Sequence, residues 1–350
     1  MIRRWAAVVV AAATLSPVTA RASVTGLPGD CAPADTGIVC SFDVPPGDYE
    51  VRVALGSPAA AANTGIEVEA RRGVLTPAGT AAGQIVLRSS TVDVRTPESM
   101  PDGQEGDGTP GLQVYVTGSA PALAGIQVLP RHHVARLDVI SDSTAADWLF
   151  GPKRGWAQEL PTYFRAGLSV ANFAVSGSST VSWLADPVLF AAVAPQIRRG
   201  DAVLIQLAHN DKTTPEDTYR ANLRALVDGV RARGGQPVLV TPPVRHLFAA
   251  DGTVTPTGRV VNNLGVDLPA VMRDVAGRLA VPLLDLTADS EALVERMGPD
   301  ASWQLYVGRE ASPTDATHFN PSGATVVAGL VAGELRAAGL PAAGFLRTSP

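Results

Sequence analysis

The chain has 350 residues, of which 46% are hydrophobic and 17% are charged, and its formal net charge is −5. This length and this hydrophobic content predict two domains, each with a buried core. The slightly acidic balance lacks the basic surface by which proteins bind nucleic acid or anionic membranes, so neither partner is expected.

Residues 1–22 have the pattern of a secretory signal peptide. Arg3 and Arg4 precede an apolar run from Trp5 to Leu15, and a small-residue cleavage sequence ends at Ala22. The run is too short to span a bilayer, and no later segment is long and apolar enough to do so. We therefore expect secretion, to the periplasm or the extracellular space, after cleavage near Ala22. Both Sec and twin-arginine signals carry basic residues at this position, so the export route stays open.

Cys31 and Cys40 are the two cysteines of the chain, and both follow the predicted cleavage site. In an exported protein such a pair predicts a disulfide, here closing a small loop and stabilising the fold by about 2–3 kcal/mol. With no Cys-His cluster, a structural zinc site is not expected. The acidic stretch from Pro97 to Gly111 has no recognisable spacing of calcium ligands, so we interpret it as a solvated connection rather than a calcium site.

Residues 23–132 are predicted to form a small β-sandwich domain. From Phe42 to Leu129 hydrophobic residues alternate with polar ones, as they do at Tyr49, Val51, Val53 and Leu55. Turn sequences, such as Pro-Pro-Gly-Asp at 45–48, separate these stretches. Several short alternating strands at this spacing are typical of an antiparallel β-sandwich.

Residues 133–345 have a different period and are predicted to form an α/β domain. Continuous apolar runs predict buried strands at 134–140, 168–175, 202–208, 238–240 and 281–286. A capping residue followed by proline predicts helix starts at Asp186-Pro187, Thr214-Pro215 and Asn320-Pro321. Apolar strands that alternate with helices indicate a parallel sheet covered on both faces, which is a three-layer α/β/α architecture.

Polar residues suited to acyl transfer follow the predicted strands. Ser143 follows the first strand, on a turn where Thr144 and Ala145 are predicted to open a helix; Gly177 follows the second strand and Asn210 the third. The carboxyl ends of parallel strands meet at one edge of a sheet, where ligands bind. We therefore expect a hydroxyl, a backbone N–H group and a side-chain amide to lie together there.

A fourth segment supplies Asp315 and His318, three residues apart and just before the last predicted helix. A serine hydroxyl is a weak nucleophile until an imidazole takes its proton, and a carboxylate fixes the tautomer of that imidazole. The sequence thus predicts Ser143, His318 and Asp315 as catalytic residues. The N–H groups of Ser143 and Gly177 and the amide of Asn210 are predicted to hold the oxyanion.

Each of these residues also has an ordinary structural interpretation. Ser143 fits a helix N-cap, Asn210 a turn residue, and His318 a packed residue near a helix start. Asp142 most simply caps its own turn. Only their joint position on one sheet favours the catalytic interpretation.

Three further side chains are candidates for contacts with substrate. His209 stands at a strand end, where either a structural contact or a substrate contact is expected. Trp303 and Tyr306 are suited either to stacking on a sugar ring or to anchoring their loop.

With these residues in place, the chain resembles the SGNH (GDSL-type) hydrolases, and among them the rhamnogalacturonan acetylesterases and related carbohydrate O-acetylesterases. The four residues that name the superfamily fall on Ser143, Gly177, Asn210 and His318, and Asp315 completes the Asp-x-x-His block. Other similar segments are Gly155-Trp156, Asn172–Gly177, Ala208–Asp211, Val238–Pro243 and Thr317–Asn320. The resemblance runs from about Ala135 to Gly339, and the region before it is similar to the N-terminal β-domain of a two-domain subgroup.

The resemblance implies a flavodoxin-like catalytic domain without metal or organic cofactor. It implies a secreted serine esterase that removes O-acetyl groups from a pectin- or rhamnogalacturonan-type polysaccharide or oligosaccharide, through a Ser-His-Asp triad and an acetyl-enzyme. Two alternatives remain: a lipase or arylesterase with the same triad, and a weakly active or inactive glycan-binding homologue.

Two positions depart from the family pattern. Ser141 and Ala208 stand where the family has glycine, and each adds a Cβ near the catalytic edge. Such a Cβ causes backbone strain only where φ is positive. We expect both residues to keep the extended backbone of a strand end.

Overall fold

The computed structural model describes residues 29–35, 37–95, 111–185, 187–308 and 314–348. The predicted signal peptide and nearly all of the acidic stretch after Pro97 lie outside these residues. Two antiparallel sheets lie before residue 132, and a five-stranded parallel sheet begins at Ala135. Within the described part of the chain, none of the helices has the length and apolar character that crossing a membrane requires.

The antiparallel sheets face each other as a sandwich. Their strands are β1 (Cys31–Ala34), β2 (Gly37–Phe42), β3 (Gly47–Leu55), β4 (Ala62–Val68), β5 (Arg72–Thr80), β6 (Val86–Val94), β7 (Leu112–Ala120) and β8 (Leu123–Arg131). One sheet has the order β1-β2-β7-β4-β5 and the other the order β6-β3-β8. The alternating residues of β3, from Tyr49 to Leu55, are buried in the core between the sheets. The predicted β-sandwich is therefore confirmed.

Strands β1 and β5 lack the alternating pattern on which the prediction of the sandwich depends. Both lie at edges of the five-stranded sheet, and each contains a proline, Pro33 or Pro77. Edge strands tolerate proline because one side of the strand has no hydrogen-bonding neighbour. The predicted disulfide is confirmed, since Cys31 of β1 and Cys40 of β2 are bonded and face each other in the strand register.

The parallel sheet forms the centre of the α/β region. Its strands are β9 (Ala135–Ser141), β10 (Leu168–Asn172), β11 (Ala202–Gln206), β12 (Gln236–Val240) and β13 (Leu283–Leu284). They are arranged in the order β10-β9-β11-β12-β13, which is the flavodoxin-like order that the family resemblance implies. From β9 the chain continues into β10 on one side of β9, and from β10 it crosses to β11 on the other side. The carboxyl end of β9 is therefore a topological switch point, which is where ligands bind in such sheets.

Helices cover both faces of this sheet. They are α1 (Trp156–Glu159), α2 (Thr180–Ala185), α3 (Phe190–Val193), α4 (Glu216–Ala232), α5 (Leu268–Leu279), α6 (Leu286–Met297) and α7 (Pro321–Ala337). One face packs against α1, α6 and α7, and the other packs against α2, α4 and α5. A short antiparallel pair, β14 (Tyr306–Gly308) and β15 (Asp315–Phe319), precedes α7. The predicted three-layer α/β/α fold is confirmed.

A capping residue followed by proline predicts the start of some helices correctly and of others incorrectly. The α7 helix begins where predicted, because the Asn320 side chain accepts the N–H of Gly323. The α4 helix begins at Glu216, one residue after the predicted proline. After Pro187 only the short α3 forms, and Asp186 lies outside the described residues. The last predicted strand is cut to two residues because Asp285 caps α6.

The helix predicted to open at Thr144 does not form. Residues after Ser143 make one turn, in which the Asp142 carbonyl accepts the N–H groups of Ala145 and Ala146, and the first helix begins only at Trp156. The carbonyl of Ala145 is taken by the side chain of Asn172 instead of by a later helical N–H group. A hydrogen bond from a distant residue, Asn172, has thus replaced the hydrogen bond that a helix would form at this carbonyl.

The sandwich and the α/β region meet through buried charged residues. Asp93 of β6 lies 2.8 Å from Arg95 and 3.7 Å from Arg136 of β9. Arg136 also contacts Asp138 at 2.6 Å. Nearby, Glu159 of α1 is buried beside β5, 2.8 Å from Arg154. Burial raises the pKa of Glu159 to about 7, although Arg154 opposes the shift.

This raised pKa predicts that stability falls as the solution becomes less acidic. Below about pH 4.5 Glu159 is protonated in both states; between there and pH 7 the folded protein keeps a proton that the unfolded chain releases. We expect the free energy of unfolding to drop across this window, by about 3 kcal/mol from Glu159. In Glu159→Gln the slope of stability against pH, measured by urea unfolding, should be shallower.

The matched control is Glu216→Gln, which removes an exposed carboxylate of α4. It should leave the slope as in the parent protein. An equal slope in the parent protein and in Glu159→Gln would contradict the assigned titration.

Candidate active site

Ser143 lies on a tight turn just after β9. The carboxylate of Asp142 accepts the backbone N–H of Thr144 at 3.0 Å and its hydroxyl at 2.8 Å, which closes an Asx turn around Ser143. Gln206, at the end of neighbouring β11, accepts the Thr144 hydroxyl as well, at 3.0 Å. The turn therefore presents Ser143 at the carboxyl edge of the sheet, and Asp142 caps it as expected.

Asp315 and His318 reach Ser143 from strand β15. His318 Nδ1 lies 2.8 Å from Asp315 Oδ2, and His318 Nε2 lies 2.9 Å from Ser143 Oγ. The other oxygen of Asp315 accepts the backbone N–H groups of Thr317 and His318, at 3.1 Å and 2.9 Å. These bonds bend β15 so that the Asp315 carboxylate contacts the His318 ring within the same strand. A spacing of three residues would also fit one helical turn, but here the two residues lie on a strand.

These contacts stabilise the ionised form of the Asp315 carboxyl group. Partial burial tends to raise its pKa, but hydrogen bonds from the His318 ring and from the backbone N–H groups of His318 and Thr317 outweigh that effect. The pKa of Asp315 consequently lies well below its ordinary value. A carboxylate that stays ionised at any working pH fixes the Nδ1–H tautomer and leaves Nε2 to accept a proton.

Two residues that the sequence analysis missed border this pair. Trp148 places its ring edge-on to His318, with centroids 5.5 Å apart, and its Nε1–H donates to the Ser143 carbonyl at 3.0 Å. Lys153 Nζ lies 4.5 Å from the centroid of the Trp148 ring and 3.8 Å from Asp315 Oδ2. Neither residue belongs to a motif, so no local signal marks them.

The predicted oxyanion residues lie in adjoining segments. Gly177 is exposed, and its φ of +79° favours glycine. The next residue, Ser178, donates its hydroxyl to the Ser141 carbonyl at 3.1 Å, which ties this loop to the end of β9. Asn210 uses one amide N–H on the Ser178 carbonyl at 2.9 Å, and an amide has a second donor. Their oxyanion role stays a prediction.

His209 does not have the geometry of a substrate contact. It is only 2% exposed, and its ring lies between Asp142 Oδ2, 3.3 Å from Nδ1, and the Pro243 carbonyl, 3.0 Å from Nε2. Burial raises the pKa of Asp142, but the His209 ring and the Thr144 hydrogen bonds outweigh this, and the net pKa is lowered. The alternative of a structural contact fits, because His209 supports the carboxylate that closes the Ser143 turn.

Tyr306 likewise does not fit a sugar-stacking role. It is buried, and its hydroxyl donates to the Val244 carbonyl at 2.9 Å, so it anchors its loop. Trp303 is half-buried, with its ring 3.8 Å from the ring of His246. A contact between Trp303 and substrate stays a prediction.

The two departures from the family glycines are accommodated without strain. Neither Ser141 nor Ala208 has a positive φ, as expected. Ser141 is fully buried, and its hydroxyl donates to Gln206 Oε1 at 3.0 Å. Its added atoms therefore join the polar contacts beneath the Ser143 turn.

A second serine–imidazole pair lies elsewhere in the domain. His246 Nε2 is 2.9 Å from Ser302 Oγ. Ser302 is fully buried, however, and its hydroxyl donates to the Gly298 carbonyl at 2.7 Å. Ser143 lies at the carboxyl edge of the sheet and keeps 7% of its surface exposed, whereas Ser302 has none exposed, so the geometry favours Ser143 over Ser302 as a nucleophile. In the described ranges no three His, Cys, Asp or Glu side chains group as a metal site.

A parallel sheet with an acid–imidazole–hydroxyl series at its carboxyl edge defines a class of α/β hydrolytic enzymes. Comparison with known families agrees. Residues 141–326 match the model of the GDSL-like Lipase/Acylhydrolase family, and the chain belongs to this family. The resemblance to SGNH hydrolases is thereby confirmed, and the protein is a carboxylic ester hydrolase.

Two individual relatives are similar in sequence to part of this chain. The chain is 36% identical over 214 residues to the rhamnogalacturonan acetylesterase RhgT of Bacillus subtilis, an alignment that covers 57% of this chain and 89% of RhgT. It is 29% identical over 195 residues to the probable rhamnogalacturonan acetylesterase YesY of the same organism, covering 53% of this chain and 85% of YesY.

A solved structure extends the likeness of fold beyond the hydrolase region. The crystal structure of the Bacillus subtilis protein YxiM matches with a TM-score of 0.54 and 24% identity, covering 87% of this chain and 81% of that one. At this identity the match shows a shared fold and no more.

The two serine–imidazole pairs predict selective chemical labelling. A serine-reactive phosphonate should label Ser143, because its hydroxyl contacts His318 Nε2 at the carboxyl edge of the sheet. Ser302 should stay unlabelled because none of its surface is exposed and its hydroxyl donates to the Gly298 carbonyl. Mass spectrometry of tryptic peptides locates the adduct, and His318→Ala should remove the labelling. An adduct on another serine, or labelling that persists in His318→Ala, would contradict the assignment.

Proposed function

We propose that the protein is an exported serine esterase that removes O-acetyl groups from polysaccharides of the pectin or rhamnogalacturonan type. The hydrogen-bonded series from Asp315 through His318 to Ser143 carries this proposal. It supplies the nucleophile, the base and the residue that orients the base, each within 3 Å of the next. The substrate class is supported by the names of RhgT and YesY, to which the hydrolase region is similar.

In the first half of the reaction, Ser143 Oγ attacks the carbonyl carbon of the acetyl group while His318 Nε2 takes the hydroxyl proton. The negative charge that develops on the carbonyl oxygen is met by the N–H groups of Ser143 and Gly177 and by the Asn210 amide. As the tetrahedral intermediate collapses, His318 gives its proton to the departing sugar oxygen. The sugar alcohol leaves, and the acetyl group stays on Ser143.

In the second half, water replaces the sugar. His318 takes a proton from the water molecule, whose oxygen attacks the acetyl carbonyl carbon, and then returns a proton to Ser143 Oγ as acetate leaves. Asp315 stays ionised throughout and stabilises the imidazolium that forms in both halves.

Export and domain organisation belong to the same proposal. A disulfide such as Cys31–Cys40 persists in an oxidising compartment, which supports secretion after cleavage near Ala22. Residues 23–132 act as a β-sandwich domain and residues 133–345 as the catalytic domain. The last sandwich strand ends at Arg131 and the first parallel strand begins at Ala135, which supports this boundary.

The assignment predicts complete dependence on one hydroxyl. Ser143→Ala should lower the release of acetate from acetylated pectin and from p-nitrophenyl acetate by on the order of 10⁴-fold or more, since the nucleophile is lost. Its circular dichroism and unfolding midpoint should match the parent protein. Ser302→Ala, which removes the buried hydroxyl beside His246, serves as the control and should keep its activity. Full activity in Ser143→Ala would refute the mechanism.

The substrate class predicts two selectivities. Acetate release from acetylated rhamnogalacturonan should exceed that from acetylated xylan and mannan at equal acetyl content. On p-nitrophenyl esters kcat/KM should fall from acetyl to octanoyl. A preference for octanoyl would instead identify the lipase or arylesterase alternative. Measurable glycan binding without hydrolysis or phosphonate labelling would identify the inactive homologue.

A further inference from the structure

We propose that Arg72, on strand β5 of the sandwich, is a positioning residue for Ser143, so that the sandwich completes the active site. This inference rests on the proposed role of Ser143 as nucleophile. It is argued from the hydrogen bonds that the backbone carbonyls after β9 accept, since no helix forms there.

The carbonyls of the Ser143 turn find separate partners. The Ser143 carbonyl accepts the indole N–H of Trp148 at 3.0 Å, and the Thr144 carbonyl accepts the backbone N–H of Trp156 at 3.0 Å. The Ala145 carbonyl accepts Nδ2 of Asn172 at 2.8 Å. In a helix these partners would come from the next turn of the same chain. Here they come from farther away, so the position of Ser143 depends on how those partners are held.

Asn172 is the partner that connects the turn to the sandwich. It is fully buried at the end of β10, and its Nδ2 also donates to Asp147 Oδ1 at 2.8 Å. Its backbone carbonyl accepts a guanidinium N–H of Arg95 at 2.8 Å. Its side chain thereby contacts the turn, and its backbone carbonyl contacts Arg95, which follows sandwich strand β6.

Asp147 requires a counter-charge because it is fully buried. Arg72 supplies one, with Nε 3.2 Å from Asp147 Oδ2. Arg72 is itself only 4% exposed, and it also donates to the Asp93 carbonyl at 3.3 Å. The resulting series runs from Arg72 through Asp147 and Asn172 to the carbonyl of Ala145, two residues beyond Ser143.

The turn between β4 and β5 makes a second contact with the same region. The side chain of Gln158 donates to the Ala70 carbonyl at 2.6 Å and to the Trp148 carbonyl at 3.2 Å, and it accepts the Trp148 backbone N–H at 3.2 Å. Arg71 donates to the Leu149 carbonyl at 3.1 Å. Glu69 and Arg71 have φ values of +53° and +56°, so this tight turn is strained where it meets the hydrolase domain.

A loosened turn should affect the chemical step more than substrate binding. Misplacing a reacting group by about 1 Å can lower a rate on the order of 10²-fold. Arg72 lies behind the turn, in the interface with the sandwich, and touches no reacting atom. We therefore expect its loss to lower kcat while KM is retained.

The test uses the full-length protein and p-nitrophenyl acetate, well below the unfolding temperature. Arg72→Met should lower kcat by about tenfold or more, with KM within about twofold of the parent value, and should slow phosphonate labelling of Ser143 by the same factor. Arg72→Lys retains the positive charge and should recover part of kcat. If Arg72→Met does not fold, the double variant Arg72→Met/Asp147→Asn removes both buried charges; it should fold and still show the lowered kcat.

Arg198→Met is the matched control. It breaks another ion pair between the sandwich and the hydrolase region, with buried Asp48, before the start of β11 and away from the Ser143 turn. It should lose stability but keep kcat. A folded Arg72→Met or double variant with the parent kcat would overturn the inference, and so would an equal loss of kcat in Arg198→Met. Failure of the underlying mechanism would appear separately, as retained activity in Ser143→Ala.

Discussion

Consecutive backbone carbonyls at Ser143, Thr144 and Ala145 must be satisfied in a buried place where no helix follows. An unpaired buried carbonyl costs about as much as a lost hydrogen bond, so the surrounding structure has to supply donors. It does so with an indole, a backbone N–H from the start of α1 and the amide of Asn172. Asn172 also donates to Asp147, which lies beside Arg72 of the sandwich, so one of these donors connects the turn to the interface between the two domains.

The site contains two acid–imidazole pairs, and their environments separate their roles. Asp142 and His209 are both buried, and they use their polar atoms on the turn and on a carbonyl. Asp315 and His318 are half-buried, and the second imidazole nitrogen meets a hydroxyl. The first pair shapes the backbone and the second is available for chemistry. Residue type alone does not distinguish them; access and the third partner do.

The sequence predicts the strands of the parallel sheet, the α7 cap and the proximity of Ser143, Asp315 and His318, because each depends on a local pattern or on the edge of a parallel sheet. It does not predict contacts that join distant segments. The helix at Thr144 fails for this reason, since the side chain of Asn172 takes the Ala145 carbonyl. Trp148 and Lys153 carry no periodic signal, and the burial of His209 and Tyr306 depends on packing that only the folded chain defines.

The edge strands of the sandwich have a consequence for how the protein behaves among copies of itself. An exposed edge strand can template pairing with another chain, which leads to aggregation. Of the four edge strands in the described sandwich, β1, β5 and β8 each contain a proline, namely Pro33, Pro77 and Pro130, and β6 does not; a proline has no N–H to offer to an incoming strand. Cys31 further fastens β1 to β2. Three edges of the sandwich thus carry a local obstacle to the addition of a strand from another copy.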